Sequence, residues 1–258
     1  MDTVHPEWYP GRLRPAEITR VGPDGATHTI TVIVPTRNEA ANVRPVLELA
    51  RRHADELLVV DGHSTDGTAE IAVEYGARVI LDNGRGKGAA LRMGIEEARG
   101  DILVFIDADG SHDPADIPAL VQPIVEGRAD HVSGSRMLGG SDELHATFQQ
   151  FIRLFGSQII TLSVNYTQNV RLTDCQNGFR AIRRDVARAL HLTSDTTTIE
   201  QEMVIKTVRS GYRLAEVATH EYMRASGESS IKVSRVWLRY VRNWLYNLLI
   251  WRPPSRRL

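Results

Sequence analysis

Two aspartates follow directly after a buried-looking apolar run in the segment VFIDADGSHDP. Asp107 and Asp109 lie two positions apart, and Asp113 precedes Pro114. Carboxylates in this arrangement can turn toward one hard cation such as Mg²⁺, which commonly takes one or two carboxylates together with phosphate oxygens. Asp is also a common N-cap, so the same acids could begin the next helix. We assign the capping role to Asp113 and favour a divalent-cation site for Asp107 and Asp109.

A glycine-rich loop and several cations could hold anions. The loop NGRGKG opens a predicted helix, where backbone N–H groups and Lys87 could approach an anion. Its spacing matches neither the dinucleotide-binding pattern nor the P-loop, and an ordinary loop with a solvated lysine is equally compatible. Cations near polar turns in the second half indicate a site that handles several negative charges. They are Arg136, Arg180, Arg224 and Lys232.

Composition and missing motifs exclude several classes of protein. The nine histidines show no metal-protease spacing, and no serine-hydrolase elbow is present. The single cysteine, Cys175, excludes an internal disulfide and a cysteine-based zinc cluster, and it fits a reducing cytoplasm. The formal net charge of −1 gives no general attraction to nucleic acid, so we expect no nucleic-acid partner.

Short apolar strands alternate with helices and would position these residues. We predict strands at 30–34, 57–60, 78–81, 102–106 and 131–134, with helices at 41–52, 65–75, 89–98 and 117–125. This alternation is typical of an α/β fold with a mostly parallel sheet flanked by helices. Ligands of such sheets bind at the carboxyl ends of the strands. Candidate residues at those ends are Pro35, Arg37, Glu39, Asp61, Asp107, Asp109 and Arg136.

Three regions divide the chain. Residues 1–28 are rich in Pro, Gly and charge and are predicted to be an extension, with 29–228 as the main domain. Residues 229–258 read as a basic amphipathic helix and tail. The start of the chain lacks the pattern of a signal peptide, and no run of about 18 uncharged apolar residues could span a membrane unaided.

Taken in order, the segments resemble the family 2 glycosyltransferases of GT-A fold. The nearest likeness is to the dolichyl- or polyprenyl-phosphate hexosyltransferases, the dolichol-phosphate mannose synthase group. The matching text is VIVPTRNEAANV, VVDGHSTDGT, GRGKGAALRMGIEEARGD, VFIDADGSHDP, VSGSRM, DCQNGFRAIRR and EVATHEYMRASGESSIK, within residues 29–232. The resemblance implies a metal-dependent, inverting transfer of one hexose from a GDP- or UDP-hexose to a polyprenyl or dolichyl phosphate.

The same resemblance implies roles for individual residues. Pro35, Glu39 and Asp61 would line the base and ribose, with Arg37 in the same nucleotide-binding loop, and Lys87 would lie near the nucleotide. Asp107 would lie beside the sugar nucleotide and Asp109 on a diphosphate-bound Mg²⁺ or Mn²⁺. The phosphates would be gathered by Arg136, Arg180, Arg224 and Lys232. Two departures concern the metal. The second loop reads Asp61-Gly62-His63-Ser64 where many members have two acids before Gly-Ser, so one acid is missing, and Ser111 stands where many have Gln.

The C-terminal helix is open to two interpretations. Trp237, Trp244 and Trp251 fall on one side and Arg235, Arg239 and Arg242 on the other. Such a helix can lie in a lipid headgroup layer or pack its Trp face on the domain. A second apolar stripe could be core or a lipid-facing ledge, and it contains Phe148, Phe151, Phe155, Ile159 and Leu162. Because the implied acceptor is a lipid, we expect residues 231–251 to meet the inner face of a membrane, with a membrane-protein partner possible.

Other functions stay open. The fold could glycosylate a soluble hydroxyl acceptor, for which Asp174, Glu200 or Glu202 could serve as base. A sugar-1-phosphate nucleotidyltransferase would need a glycine-rich loop after the first strand, and PTRNEA lacks the glycines. A nucleotide-binding module without catalysis is the third alternative. The Gln-x-x-Arg-Trp signature of processive synthases is absent, so one transfer per encounter is expected.

Overall fold

A seven-stranded sheet with helices on both faces forms the centre of the molecule. The computed structural model describes residues 18–142, 148–223 and 233–253 of the 258-residue chain. The strands are β1 (Ile30–Thr36), β2 (Glu56–Asp61), β3 (Arg78–Leu81), β4 (Ile102–Phe105), β5 (His131–Ser135), β6 (Arg180–Arg183) and β7 (Leu214–Ala218). Their order across the sheet is β3-β2-β1-β4-β6-β5-β7.

Most neighbouring strands run parallel, as the sequence predicts. Strand β1 pairs in parallel with β2 and β4, β2 with β3, and β5 with β7. All five predicted strands are present, with ends that differ by at most two residues. The carboxyl ends of β1, β2 and β4 therefore lie side by side at one edge of the sheet, and the loops that follow them meet there.

Two strands are absent from the sequence-based prediction. Strand β6 lies between β4 and β5 and runs antiparallel to both, and β7 pairs with β5 at the edge of the sheet. The β6 segment, RAIR, has four residues with a charge at each end. A segment this short gives no clear alternation of apolar and polar residues, so only its tertiary partners make it a strand.

Helices cover both faces of the sheet. They are α1 (Val43–Ala50), α2 (Thr68–Glu74), α3 (Lys87–Glu97), α4 (Ile117–Val125), α5 (Arg136–Gly139), α6 (Phe148–Gln168), α7 (Arg184–Ala189), α8 (Ile199–Arg209) and α9 (Val233–Leu245). A short 3₁₀ helix, Pro114–Asp116, precedes α4, and a π-helical turn, Tyr246–Ile250, follows α9. The predicted bounds of α4 match the observed ones.

Side chains that alternate along β1 divide the core into two layers. Ile30, Val32 and Val34 pack on one face with residues of α1 and α4, whereas Ile33 packs on the other face with α3, α7 and α8. All four are fully buried. This continuous burial on both faces explains why the strand is apolar at nearly every position.

A third apolar cluster joins the C-terminal segment to the domain. It contains Val164 of α6, Cys175, Val204 of α8 and Leu248 of the π-helical turn, with Trp244 against it. Burial raises the pKa of the Cys175 thiol to about 12, so this cysteine is a packing residue in its protonated form. The C-terminal segment thus shares a core with residues that we assign to the main domain, although the proposed domain limits stay predictions.

The tryptophans of the C-terminal segment have different surroundings. Trp244 Nε1 donates to Ser163 Oγ at 2.8 Å, and the Trp251 ring lies 5.0 Å from Lys206 Nζ. Trp237 is 52% exposed. Two of the three therefore pack on the domain, and only Trp237 is left for a lipid surface. No helix within the described ranges is long and apolar enough to cross a membrane.

Candidate active site

A cavity of about 670 Å³ opens at the carboxyl edge of the sheet. Residues of the loops after β1, β2, β3 and β4 line it together with residues of α8 and α9. Seven predicted site residues line it: Pro35, Arg37, Glu39, Lys87, Asp107, Asp109 and Arg136. Asp61 and Arg180 are buried outside its lining. Arg224 and Lys232 lie outside the described residues, so their predicted roles have no structural counterpart here.

Asp61 holds the loops after β1 and β2 together. Its carboxylate accepts hydrogen bonds from Thr36 Oγ1 at 2.9 Å, Ser64 N at 2.8 Å and Ser64 Oγ at 2.6 Å. Asn38, in a left-handed conformation with φ 56°, accepts from Thr65 N at 2.9 Å. These bonds fix the rim of the cavity where Arg37 and Glu39 stand. Asp61 therefore holds the predicted nucleotide-binding loop in place and does not itself line the cavity.

Asp107 and Asp109 occupy the end of β4 on the cavity wall. The Asp107 side chain is 29% exposed, whereas Asp109 is 6% exposed and accepts from the Ser111 backbone N–H at 3.0 Å. Asp113 accepts from Ala115 N at 2.8 Å as the N-cap of the 3₁₀ helix. The prediction that Asp113 is an N-cap is confirmed. Asp107 and Asp109 line the cavity.

Lys87 lies between two carboxylates rather than in solvent. Its Nζ is 2.7 Å from Asp107 Oδ1 and 2.9 Å from Glu200 Oε1. Burial alone would lower the pKa of the Lys87 ammonium, but the two acids outweigh it and raise that pKa above its ordinary value. The lysine stays charged and links the end of β4 to the first turn of α8.

The glycines of the NGRGKG loop allow close packing. A Cβ at Gly88 would lie 2.4 Å from Ser194 O, and the backbone N–H groups of Gly88 and Ala89 donate to Asp195 O at 2.9 and 3.2 Å. These two N–H groups of the first turn of α3 therefore bind the 194–196 loop of the protein. Lys87 lines the cavity together with Gly84 and Gly86 of the same loop.

Arg136 is buried in a cluster of opposite charge. Its Nε and Nη2 donate to the Asp174 carboxylate at 2.6 and 3.0 Å, and Nη1 donates to Glu221 Oε1 at 3.2 Å. Burial opposes the charged guanidinium, yet these acids raise the pKa of Arg136 above its ordinary value. Arg136 borders the cavity with its charge already balanced, so a phosphate there would have to compete with two carboxylates.

Arg180 braces the cavity wall through backbone carbonyls. Its Nε donates to Asn177 O at 3.1 Å, Nη1 to Glu200 O at 2.9 Å, and Nη2 also to Asn177 O. Burial lowers the pKa of this guanidinium from its ordinary value. The residue is 1% exposed. Its predicted contact with phosphates would need a rearrangement, because the guanidinium supports the wall from within.

Acids outnumber bases along the described lining of the cavity. The acids are Glu39, Asp66, Asp82, Asp107, Asp109, Glu200 and Glu221, and the bases are Arg37, Lys87, Arg136 and Arg239. Lys87 and Arg136 are each paired with two carboxylates. Arg37 and Arg239 form no ion pair with a carboxylate of the described residues. Arg37 belongs to the loop after β1 and Arg239 to α9.

Comparison with known proteins identifies the family of this chain. The family described as Glycosyl transferase family 2 matches residues 31–190. The chain belongs to this family. It is 32% identical over 203 residues to glycosyltransferase AglJ of Haloferax volcanii, which covers 78% of this chain and 65% of AglJ. It is 31% identical over 239 residues to the dolichol-phosphate mannosyltransferase of Pyrococcus furiosus, covering 89% of this chain and 66% of that protein. The chain thus spans about two thirds of the length of these relatives.

Solved structures confirm the GT-A fold of this glycosyl transferase family 2 chain. Glucosyl-3-phosphoglycerate synthase from Mycobacterium tuberculosis, in complex with Mn²⁺, UDP and glucosyl-3-phosphoglycerate, matches with a TM-score of 0.69 and 23% identity. The match covers 88% of this chain and 82% of that one. At this identity the likeness establishes the fold, and the sugar and acceptor have to be argued from the site.

The side chains at the end of β4 fit a divalent cation shared with a substrate. Within the described ranges, no group of three or more His, Cys, Asp or Glu is arranged to hold a metal by itself. Asp107 and Asp109 would supply the one or two carboxylates that Mg²⁺ or Mn²⁺ takes when phosphate oxygens complete its shell. Both oxygens of Asp107 already contact Lys87 Nζ, at 2.7 and 2.9 Å, so a cation there would have to share Asp107 with Lys87. Asp107 and Asp109 as metal ligands stay a prediction.

Three residues that line the cavity come from α8 and α9. The sequence predicts none of the three as a binding residue. Glu200, considered only as a possible base, and Tyr240 line the cavity together with Arg239, which the sequence places on the arginine face of the C-terminal helix. Tyr240 Oη donates to Thr197 Oγ1 at 2.6 Å, and Gln201 Nε2 donates to Tyr240 O at 2.9 Å. These bonds join α9 to the start of α8. No spacing in the sequence reveals this contact, because it depends on how two distant helices pack.

Proposed function

We propose that this chain transfers one hexose from a nucleotide sugar, a GDP- or UDP-hexose, to a polyprenyl phosphate. The observation that carries the proposal is the Asp107–Asp109 pair at the end of β4, in a cavity whose lining is rich in acids. A nucleoside diphosphate can occupy such a cavity only with a divalent cation to balance the charge. The name of the Pyrococcus relative, a dolichol-phosphate mannosyltransferase, supports a lipid phosphate as acceptor.

The charges of the reaction suit the described residues. Cleavage of the sugar–phosphate bond builds negative charge on the departing nucleoside diphosphate, and a cation held by Asp107 and Asp109 would supply its neutralisation. Arg37 also lines the cavity and has no ion-pair partner among the described carboxylates, so it is available to contact the diphosphate. A phosphate acceptor is already anionic near neutral pH, and the transfer therefore requires no strong general base.

Arg239 is our candidate for contact with the acceptor phosphate. It lines the cavity from α9, and no described carboxylate forms an ion pair with it. On the same helix, Trp237 and Leu238 are 52% and 63% exposed. A charged head and exposed apolar neighbours on one helix suit an acceptor whose phosphate enters the cavity while its hydrocarbon tail lies outside. This arrangement favours a lipid over a soluble acceptor.

An exposed apolar surface supports attachment to a membrane. Phe155, Ile159 and Leu162 of α6 are exposed, as are Leu249 and Ile250 of the π-helical turn. The side chains of Phe148 and Phe151, the remaining members of the predicted stripe on α6, lie outside the described part of the chain. We propose that these helices rest on anionic lipid, with arginines of α9 adding electrostatic attraction.

A transfer assay tests the function. The protein would be incubated with Mg²⁺ or Mn²⁺, a panel of GDP- and UDP-hexoses and a short polyprenyl phosphate, and products would be identified by mass spectrometry. We expect a glycolipid, a rate roughly 100- to 1,000-fold lower for Asp109→Asn, and little change for the matched control Asp113→Asn, whose side chain still caps the 3₁₀ helix. Metal-dependent loss of hexose from the donor without glycolipid would move the acceptor to a soluble hydroxyl compound.

A vesicle assay tests the membrane surface. We expect binding to vesicles that contain anionic lipid, and weaker binding for Leu249→Glu. The control is Val73→Glu on α2, because Val73 is 62% exposed and Leu249 is 65% exposed. Equal binding by the two variants would reject the proposed surface. Absence of binding by the native chain would favour the soluble acceptor, for which the inward packing of Trp244 and Trp251 is also an argument.

A further inference from the structure

The Glu200 carboxylate has hydrogen-bonding capacity that the described residues do not use. Glu200 lies in the first turn of α8, and its side chain is 6% exposed on the cavity wall. Oε1 pairs with Lys87 Nζ at 2.9 Å. Oε2 is buried, and no donor among the described residues reaches it. A buried acceptor left in this state costs about 1–3 kcal/mol, so its retention needs a reason.

A second glutamate on the same helix shows that the fold can satisfy such a group. Glu202 Oε1 accepts from Thr193 N at 2.9 Å and pairs with Lys206 Nζ at 2.7 Å. Glu202 Oε2 accepts from Ser194 N at 2.8 Å. Both oxygens of Glu202 are therefore used by the protein. The missing donor at Glu200 Oε2 is therefore explained by the position of Glu200 beside the cavity, and not by its position on α8.

The surroundings of Glu200 indicate what kind of ligand would donate a hydrogen bond to Oε2. Asp107 and Glu200 both pair with Lys87 Nζ, so a phosphate group beside Glu200 without a cation would be repelled. Gly178 lines the cavity next to this cluster, and a Cβ there would crowd it, at 3.1 Å from Asp107 Oδ2 and 3.2 Å from Lys87 Nζ. The cavity beside Glu200 can therefore admit a neutral group with several O–H donors, and the hexosyl part of a nucleotide sugar is such a group.

We infer that Glu200 accepts a hydrogen bond from a hydroxyl of the transferred hexose and thereby selects and positions the sugar. The inference rests on the proposed function, since it names the sugar-binding residue of the same site. The last torsion of a glutamate side chain is soft, so the carboxylate can turn its unused oxygen toward the cavity. Lys87 joins this sugar contact to Asp107, beside which the diphosphate is proposed to bind.

Binding of hydroxyl-deleted donors tests the inference. Affinities would be measured by calorimetry with Mg²⁺ for the native chain and for Glu200→Gln. The ligands are the nucleoside diphosphate, the nucleotide hexose identified by the transfer assay, and analogues that each lack one hydroxyl. We expect the native chain to bind one analogue roughly 10- to 100-fold more weakly than the parent hexose, the range for a hydrogen bond to a charged group. Glu200→Gln should lose affinity for the parent hexose and show no further loss with that analogue.

Control measurements separate a sugar contact from a structural role. Glu200→Gln should bind the nucleoside diphosphate as tightly as the native chain does. Glu202→Gln, measured below its unfolding temperature, should keep the native dependence on each hydroxyl. The inference is overturned if Glu200→Gln shows the same loss as the native chain for every analogue. If the native chain binds no nucleotide hexose, both the inference and the proposed function are rejected. If the native chain and Glu200→Gln bind and transfer the hexose equally well, only the inference is rejected.

Discussion

Two lysine–glutamate pairs at one helix show the difference between a residue built for the fold and one built for the site. Glu202 and Lys206 are fully buried, and the carboxylate is surrounded by donors from the 193–194 loop. Glu200 and Lys87 border the cavity, and one oxygen of Glu200 has no described donor. The residue type, the pairing with a lysine and the helix are the same in both cases, but the completeness of the hydrogen bonding differs.

Burial of the charge does not distinguish these two glutamates, whereas the unused hydrogen-bonding capacity of Glu200 beside the cavity does. A fully satisfied pair stabilises its surroundings and leaves nothing for a ligand. A half-satisfied pair costs stability unless a ligand completes it. The predictions that follow test this contrast between the Glu202 and Glu200 pairs.

The largest expected effect is the loss of stability in Glu202→Gln. The substitution leaves Lys206 buried without its counter-charge and weakens three hydrogen bonds to the 193–194 loop, so the free energy of unfolding should fall by about 3 kcal/mol. Glu200→Gln should change it by less than about 1 kcal/mol, because that carboxylate is already incompletely satisfied. Urea unfolding followed by circular dichroism measures both. Equal losses would remove the distinction between the two residues.

The pH dependence of stability gives a second, smaller effect. Burial alone would raise the pKa of Glu202, but Lys206 and the donors of the 193–194 loop outweigh it, so the pKa of Glu202 lies below its ordinary value of 4.5. Its contribution to stability is therefore complete above that value and is lost as the pH falls through the lower pKa of the folded state.

The difference in unfolding free energy between the native chain and Glu202→Gln should accordingly be constant near neutral pH and shrink below about pH 4.5. Unfolding curves at a series of pH values measure it. A difference that grows as the pH falls would mean that the folded protein favours the protonated form of Glu202.

The smallest expected change in stability belongs to Gly178→Ala. The added Cβ meets the ends of Asp107 and Lys87, which are flexible enough to yield, so the free energy of unfolding should change by less than about 1 kcal/mol. Affinity for the nucleotide hexose should still fall by roughly 3- to 10-fold, because the new methyl group occupies the space proposed for the sugar. Calorimetry with and without the hexosyl group measures this, and unchanged affinity for the hexose would place the sugar elsewhere.

The part of the cavity at the strand ends could be predicted because its residues directly follow the strands. Each of β1, β2 and β4 is a short apolar run whose end is marked by a polar residue, and parallel strands bring those ends together. Pro35, Glu39, Asp107 and Asp109 therefore reach one cavity as expected. Asp113 caps its helix as predicted from its type and its position before Pro114.

The electrostatic surroundings of the predicted cations could not be obtained in the same way. The sequence shows Lys87, Arg136 and Arg180 as charges near turns, and it does not show what they face. The structure pairs Lys87 with Asp107 and Glu200 and Arg136 with Asp174 and Glu221, and it turns Arg180 toward backbone carbonyls. Their partners are as many as 113 positions apart, as in the Lys87–Glu200 pair.

The sequence alone determined the α/β class, the edge of the sheet where the cavity opens, the family, and the acids of the β4 end that line the cavity. These features depend on local order: apolar runs make strands, polar residues end them, and parallel pairing aligns the ends. The tertiary structure decided the antiparallel position of β6, the docking of α9 that brings Arg239 and Tyr240 to the cavity, and the unequal satisfaction of Glu200 and Glu202. Those features depend on contacts between distant segments, because hydrogen-bond partners and burial are properties of the packed molecule.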